Sequence, residues 1–139
     1  MDIVFSLDKL PSLVQNFWDA YGSRSIFALK GSMGAGKTTF VRALMDHLGV
    51  ADQVSSPTYS IVNHYITSGG RDCYHLDLYR ISGMEEALDL GMDELVDGNG
   101  ICFIEWPEIV ASLLPSDTVW LEFFTVNGNQ RRLKVTEPG

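Results

Sequence analysis

The sequence predicts an α/β fold: a single domain over residues 1–139, three-layered α/β/α around a largely parallel sheet and closed by a C-terminal β-hairpin. Three observations predict it. Short, continuous apolar runs ("SIFAL", "ICFIE") alternate with amphipathic helical stretches, as strands buried on both faces do. A glycine-bearing loop joins one such run directly to a helical stretch at Gly31–Thr38. Near the end, "NGN" separates two strand-like runs, which is a hairpin signal.

Taken in order, "IVFSL" reads as a short first strand. "LPSLVQNFWDAY" spaces Leu10, Leu13, Val14, Phe17 and Trp18 at helical intervals, with Pro11 tolerable in the first turn. "SIFAL" is a compact buried strand ending at the glycine loop. "KTTFVRALMDHLG" repeats Phe40, Val41, Leu44, Met45 and Leu48 on one face and stops at Gly49, a good helix terminator. "YSIVNHYI" and "DCYHLDLY" read as strands joined by the turn "TSGG". "GMEEALDLGMDEL" is helical and interrupted at Gly91; "ICFIE" is another buried strand; "PEIVASLL" predicts a short helix stopped by Pro115. "TVWLEFFTV" and "QRRLKVTE" flank the final turn. Trp18 and Trp120 are expected in the core.

Composition bounds the function classes. With 139 residues, 45% hydrophobic and 20% charged, the chain has the make-up of one ordinary globular unit. Its net charge of -8 disfavours direct binding to a nucleic-acid backbone, which depends on Lys and Arg neutralising phosphates. The only basic cluster, Arg131, Arg132 and Lys134, reads as the solvated face of a strand. Cys73 and Cys102 lie in apolar runs and read as buried reduced thiols, without zinc-type spacing. The separated His47, His64 and His75 do not suggest a metal site. The N-terminus lacks the pattern of a signal peptide, and no apolar run approaches the roughly 20 residues needed to span a bilayer. A cytoplasmic protein without membrane contact is expected.

The chemistry concentrates in the loop. Gly31, Ser32, Met33, Gly34, Ala35, Gly36, Lys37 and Thr38 fit G-x-x-x-x-G-K-[ST] in full, with Thr39 following on the helix. Glycines let successive backbone N–H groups turn inward as an anion nest, and the helix N-terminus adds positive potential. Lys37 supplies a charge to the β- and γ-phosphates; the Thr38 hydroxyl suits Mg²⁺. A fold of this type, a P-loop NTPase, needs a carboxylate for the metal ion and a group to orient the attacking water. Glu105 ends an apolar strand, as a Walker B acid does at the carboxyl edge of a sheet. Asp77 in "YHLDLYR" is enclosed by apolar residues, so it is either functional or a buried acid paired with Arg80. Thr58 in "VSSPTYS" either meets the γ-phosphate or metal in a switch loop or belongs to a plain Ser-Pro turn. Trp106 follows Glu105 and is expected beside the nucleotide. "DGNG" at Asp97–Gly100 precedes a strand and reads as an ordinary turn, and the guanine-reading N-K-x-D is absent.

In combination, "GSMGAGKTTF", "SSPTYSIV", "YHLDLYR" and "ICFIEWPE" resemble the TsaE (YjeE) family, with order and spacing held from about Phe27 to Pro107. The resemblance implies a weak, partner-stimulated ATPase using ATP and Mg²⁺. It implies action with the TsaB and TsaD proteins, which transfer a threonylcarbamoyl group to adenosine 37 of ANN-decoding tRNAs. The protein itself would then touch tRNA only indirectly, and its ATP cycle would reset the TsaB–TsaD complex. By position, Lys37 is implied to hold phosphates, Thr38 and Glu105 to bind Mg²⁺, and Lys37, Asp77 and Glu105 to serve catalysis. Trp106 matches a position needed for function, and Thr58 lies in the switch loop. Two other readings remain: a nucleotide-sensing adaptor without significant turnover, and a compact small-molecule kinase.

Overall fold

The computed structural model describes residues 1–50 and 61–137. The strands are β1 (Asp2–Ser6), β2 (Ile26–Gly31), β3 (Val62–Ile66), β4 (Asp72–Asp77), β5 (Ile101–Glu105), β6 (Val119–Asn127) and β7 (Gln130–Thr136). The helices are α1 (Leu10–Tyr21), α2 (Lys37–His47), α3 (Met84–Asp89) and α4 (Met92–Asp97), and 3₁₀ turns run over Leu7–Lys9 and Pro107–Leu113. All strands join one sheet of order β1-β7-β6-β2-β5-β4-β3. Its centre, β6-β2-β5-β4, is parallel, and the antiparallel strands β1, β7 and β3 extend it at the margins.

The continuous apolar strands are explained by helices on both faces. Phe27, Leu29, Ile101 and Phe103 join the core under α1 and α2, whereas Ile26, Cys102 and Ile104 join the core under α3, α4 and the Pro107 turn. The helical spacings read from α1 and α2 are realised: Leu10, Leu13, Val14 and Phe17, and Phe40, Val41, Leu44 and Met45, are all buried. Phe17 ties the layers together, its ring centroid 5.8 Å from Phe27 and 5.3 Å from Phe40. Truncating such a ring typically costs about 3–5 kcal/mol.

The short helix expected over "PEIVASLL" forms as a 3₁₀ helix, Pro107–Leu113. It starts from Trp106 in a left-handed conformation and ends before Pro115, leaving one short stretch that closes with i→i+3 bonds such as Leu114 N–H to Ala111 C=O. Trp18 and Trp120 are half-buried rather than fully inside. The "NGN" hairpin forms as expected, with Asn127 opposite Gln130.

The topology positions the site. Strand β5 inserts between β2 and β4, although β4 precedes it in the chain, and β6 lies on the other side of β2. The connections leaving β2 and β5 therefore diverge above the carboxyl end of β2, which is where open α/β sheets bind ligands.

Candidate functional site

The loop between β2 and α2 leaves the sheet at Gly31, whose φ is 150° and where an added Cβ would come within 2.8 Å of the Phe123 carbonyl. Only glycine fits that approach. Gly34 and Gly36 also adopt positive φ, which turns the intervening chain around the α2 N-terminus. Backbone N–H groups of the first helical turn have no partner within their own helix and are directed at this hollow. Ser32, Met33 and Gly34 are exposed, Ala35 is buried beneath them, and Thr39 is exposed on the first turn of α2.

Lys37 is 5% exposed and is drawn back into the loop. Its Nζ donates to the Gly31 carbonyl at 2.7 Å and sits 3.5 Å from the centroid of the Trp106 ring. Burial holds its pKa below the usual lysine range, while the carboxylates of Glu105, Glu108 and Asp77 act in the opposite direction. An ammonium enclosed in this way gains strongly from an anion placed in the hollow.

Register in the parallel sheet builds the acidic side. Glu105 pairs with Leu29 on β2 and with Asp77 on β4. The Thr38 hydroxyl lies 2.9 Å from both Glu105 carboxylate oxygens, a contact bridging 67 residues of sequence. On the other side His75 Nε2 is 2.5 Å from Glu105 Oε2. Burial pushes the Glu105 carboxyl up, but the His75 hydrogen bond and charge, the Thr38 hydroxyl and Lys37 outweigh it, and the net pKa is lowered. The carboxylate is thus ionised and accepts from both neighbours, so Nε2 carries the proton.

Asp77 corrects one expectation. It is exposed at the end of β4, its Oδ1 accepting the Tyr79 N–H at 3.1 Å, and no ion pair with Arg80 forms among the described residues. The flanking Leu76 and Leu78 face the opposite core, which is why the apolar surroundings in sequence did not bury the acid. Trp106 is the only non-glycine with positive φ among the described residues, at 58°. Such a backbone costs on the order of 1–2 kcal/mol, and contacts with Lys37 and Tyr79, the latter at 5.0 Å between ring centroids, hold it there. Thr58 lies outside the described residues. "DGNG" runs from Asp97, the last residue of α4, through a bend at Gly98–Gly100 to the amino end of β5, a strand length from the loop.

One cleft collects Gly34, Gly36, Lys37, Thr38, Thr39, Asp77, Glu105 and Trp106. It also collects residues not read as functional in the sequence: Leu7, Tyr79 and Arg131. His75, set aside as a metal residue, supports Glu105. Strand alternation carries the missing signals, because Cys73, His75 and Asp77 share one face, as do Arg131, Leu133 and Val135. Arg132 and Lys134 remain solvated as expected, but Arg131 turns inward. The donor set suits a magnesium polyphosphate: a hydroxyl beside a carboxylate for the ion, and an enclosed ammonium with backbone N–H groups for phosphate.

Comparison with known proteins identifies the family. Residues 5–133 match the family described as "Threonylcarbamoyl adenosine biosynthesis protein TsaE". The tRNA threonylcarbamoyladenosine biosynthesis protein TsaE of Treponema pallidum is 39% identical over 111 residues, 80% of this chain and 81% of that protein. The protein of that name from Borreliella burgdorferi is 39% identical over 124 residues, 88% and 89% of the respective chains. The crystal structure of Bacillus subtilis YdiB superposes with a TM-score of 0.73 at 23% identity, covering 100% of this chain and 87% of that one, which supports the fold. The match over nearly the whole length means that the chain belongs to the TsaE family of threonylcarbamoyl adenosine biosynthesis proteins.

Proposed function

We propose that this protein is a cytoplasmic Mg²⁺-dependent ATPase that acts on the TsaB–TsaD complex during threonylcarbamoylation of adenosine 37 in ANN-decoding tRNAs, without transferring the group itself. The observation that carries the reading is the contact of Thr38 with Glu105, 2.9 Å across from helix to strand at the mouth of a complete phosphate loop. Lys37 and the loop N–H groups bind the β- and γ-phosphates, and Thr38 and Glu105 hold the ion. Bound Mg²⁺ would neutralise charge on the terminal phosphates. Asp77, exposed beside Glu105, orients the attacking water, and Trp106 covers Lys37 until phosphate draws the ammonium outward. Thr58 is assigned to the switch loop by family position.

The partner reading rests on the family and on charge. A net charge of -8 makes a poor surface for direct tRNA contact. With water as acceptor, the useful output of the cycle is a conformational change passed to a protein. The test is Mg²⁺-dependent phosphate release from ATP, with and without TsaB–TsaD. A slow basal rate that rises with the pair is expected, and Glu105→Ala and Asp77→Asn should each lower the stimulated rate by about 10²-fold or more. Tight ATP binding with no release under either condition would leave a nucleotide-sensing adaptor instead. Phosphate appearing on an added metabolite would indicate a kinase.

A further inference from the structure

We propose that His75 is a positioning residue that keeps the Glu105 carboxylate off the Lys37 ammonium, so that the phosphate loop stays open to an anion; this rests on the nucleotide reading of the cleft. The observation behind it is an ion pair that does not form. Lys37 and Glu105 are both buried, line the same cleft and lie within range of each other's charge. Opposite charges attract strongly where water is excluded. Yet these two are not paired, and Glu105 has His75 as its partner instead. A lysine neutralised by a carboxylate would offer far less to a phosphate than one left free to move.

Each charge is held by other groups. Lys37 Nζ donates to the Gly31 carbonyl at 2.7 Å and lies 3.5 Å from the centroid of the Trp106 ring. Glu105 has the Thr38 hydroxyl 2.9 Å from both of its oxygens and His75 Nε2 2.5 Å from Oε2. Most of these contacts give way when a ligand enters. Phosphate competes with the Gly31 carbonyl and the Trp106 ring for the ammonium, and the Thr38 hydroxyl, one residue after Lys37 on the first turn of α2, rotates freely to a new partner. His75 alone stands outside the loop and its helix. Register pairs it with Asn63 of β3 and Phe103 of β5, so neighbouring strands fix its backbone on both sides. Two residues before Asp77, it shares the sheet face of Glu105, and its ring is buried. Without that donor the Glu105 carboxylate is left short of a partner, with the Lys37 ammonium as the cation in the same cleft.

Binding of inorganic tripolyphosphate in the presence of EDTA reads the loop without a base or a metal ion. His75→Ala is expected to weaken it about 10-fold, because the ammonium is then drawn to Glu105. His75→Gln, whose amide reaches the place of Nε2, should keep most of the wild-type affinity. The decisive variant combines His75→Ala with Glu105→Gln, which removes the attracting charge and should bind tripolyphosphate at least as tightly as wild type. A purely structural role for His75 would not be rescued by altering Glu105. Wild-type affinity in His75→Ala, or a double variant no better than His75→Ala, would overturn the proposal and leave the nucleotide reading standing. Wild-type protein that binds neither tripolyphosphate nor ATP would overturn the nucleotide reading and the proposal with it. Thermal unfolding confirms that each variant is folded; should His75→Ala fail to fold, His75→Asn, whose shorter amide stops short of Oε2, takes its place in both comparisons.

Discussion

At Glu105 a carboxylate only 3% exposed stays ionised because donors surround it. Removing one donor from a buried charge costs more than the hydrogen bond itself, since the desolvated group is left short of a partner. His75→Ala is therefore expected to destabilise the fold by about 1–3 kcal/mol near neutral pH. The sign of its pH dependence follows from the lowered Glu105 pKa. The stabilisation is fully present above the unfolded-state value of about 4.3 and is lost as pH falls through the lower folded value. The gap between wild type and His75→Ala should thus shrink below about pH 4, measured by urea unfolding across pH. A gap that stays constant would assign the effect of His75 to packing alone. This role was not legible in sequence. The histidine sits on the same strand face as Asp77, but only the register of β4 against β5 brings it to Glu105.

At the scale of elements, α3 and α4 show a local signal that translated directly into structure. Gly91, read as the interruption of one helical stretch, adopts φ 83° between the two helices, and an added Cβ there would meet nothing within 4 Å. The cost of Gly91→Ala is then purely backbone, about 1–2 kcal/mol. Gly83, at φ 179°, is extended and equally open, so Gly83→Ala should cost only a few tenths to about 1 kcal/mol. Equilibrium denaturation of the pair checks this, and equal losses would show that the left-handed backbone is not the source. The Pro107 turn was less legible, because a helical apolar spacing does not distinguish an α-helix from a 3₁₀ turn when the run is this short. What decided it was the left-handed entry at Trp106, set by contacts with Lys37 and Tyr79 from other elements.

Across the whole molecule, the sheet divides the two thiols. Cys73 lies in the core beneath α1 and α2 and Cys102 in the core on the opposite face, so the two cannot form a disulfide in the fold. Burial pushes both thiols up to about 12. Ellman's reagent near pH 8 should find neither thiol reactive until the chain unfolds, because the thiolate is the reacting species. Prompt reaction of either would mean that its core opens locally. The same two-sided core accounts for what was readable at the outset. Periodicity and continuous apolar runs are local properties, and so are the glycine loop, the helix that follows it and the "NGN" turn; the sequence by itself determined these, together with Lys37, Thr38 and the carboxylate ending β5. Only the tertiary structure decided that β5 inserts between β2 and β4, and thereby which side chains meet. The Thr38–Glu105 contact, the support from His75, the exposure of Asp77 and the inward turn of Arg131 all depend on strand order and register. Those are set by how the helical layers close over both faces of the sheet, a sum of many long-range contacts that no single stretch of sequence contains.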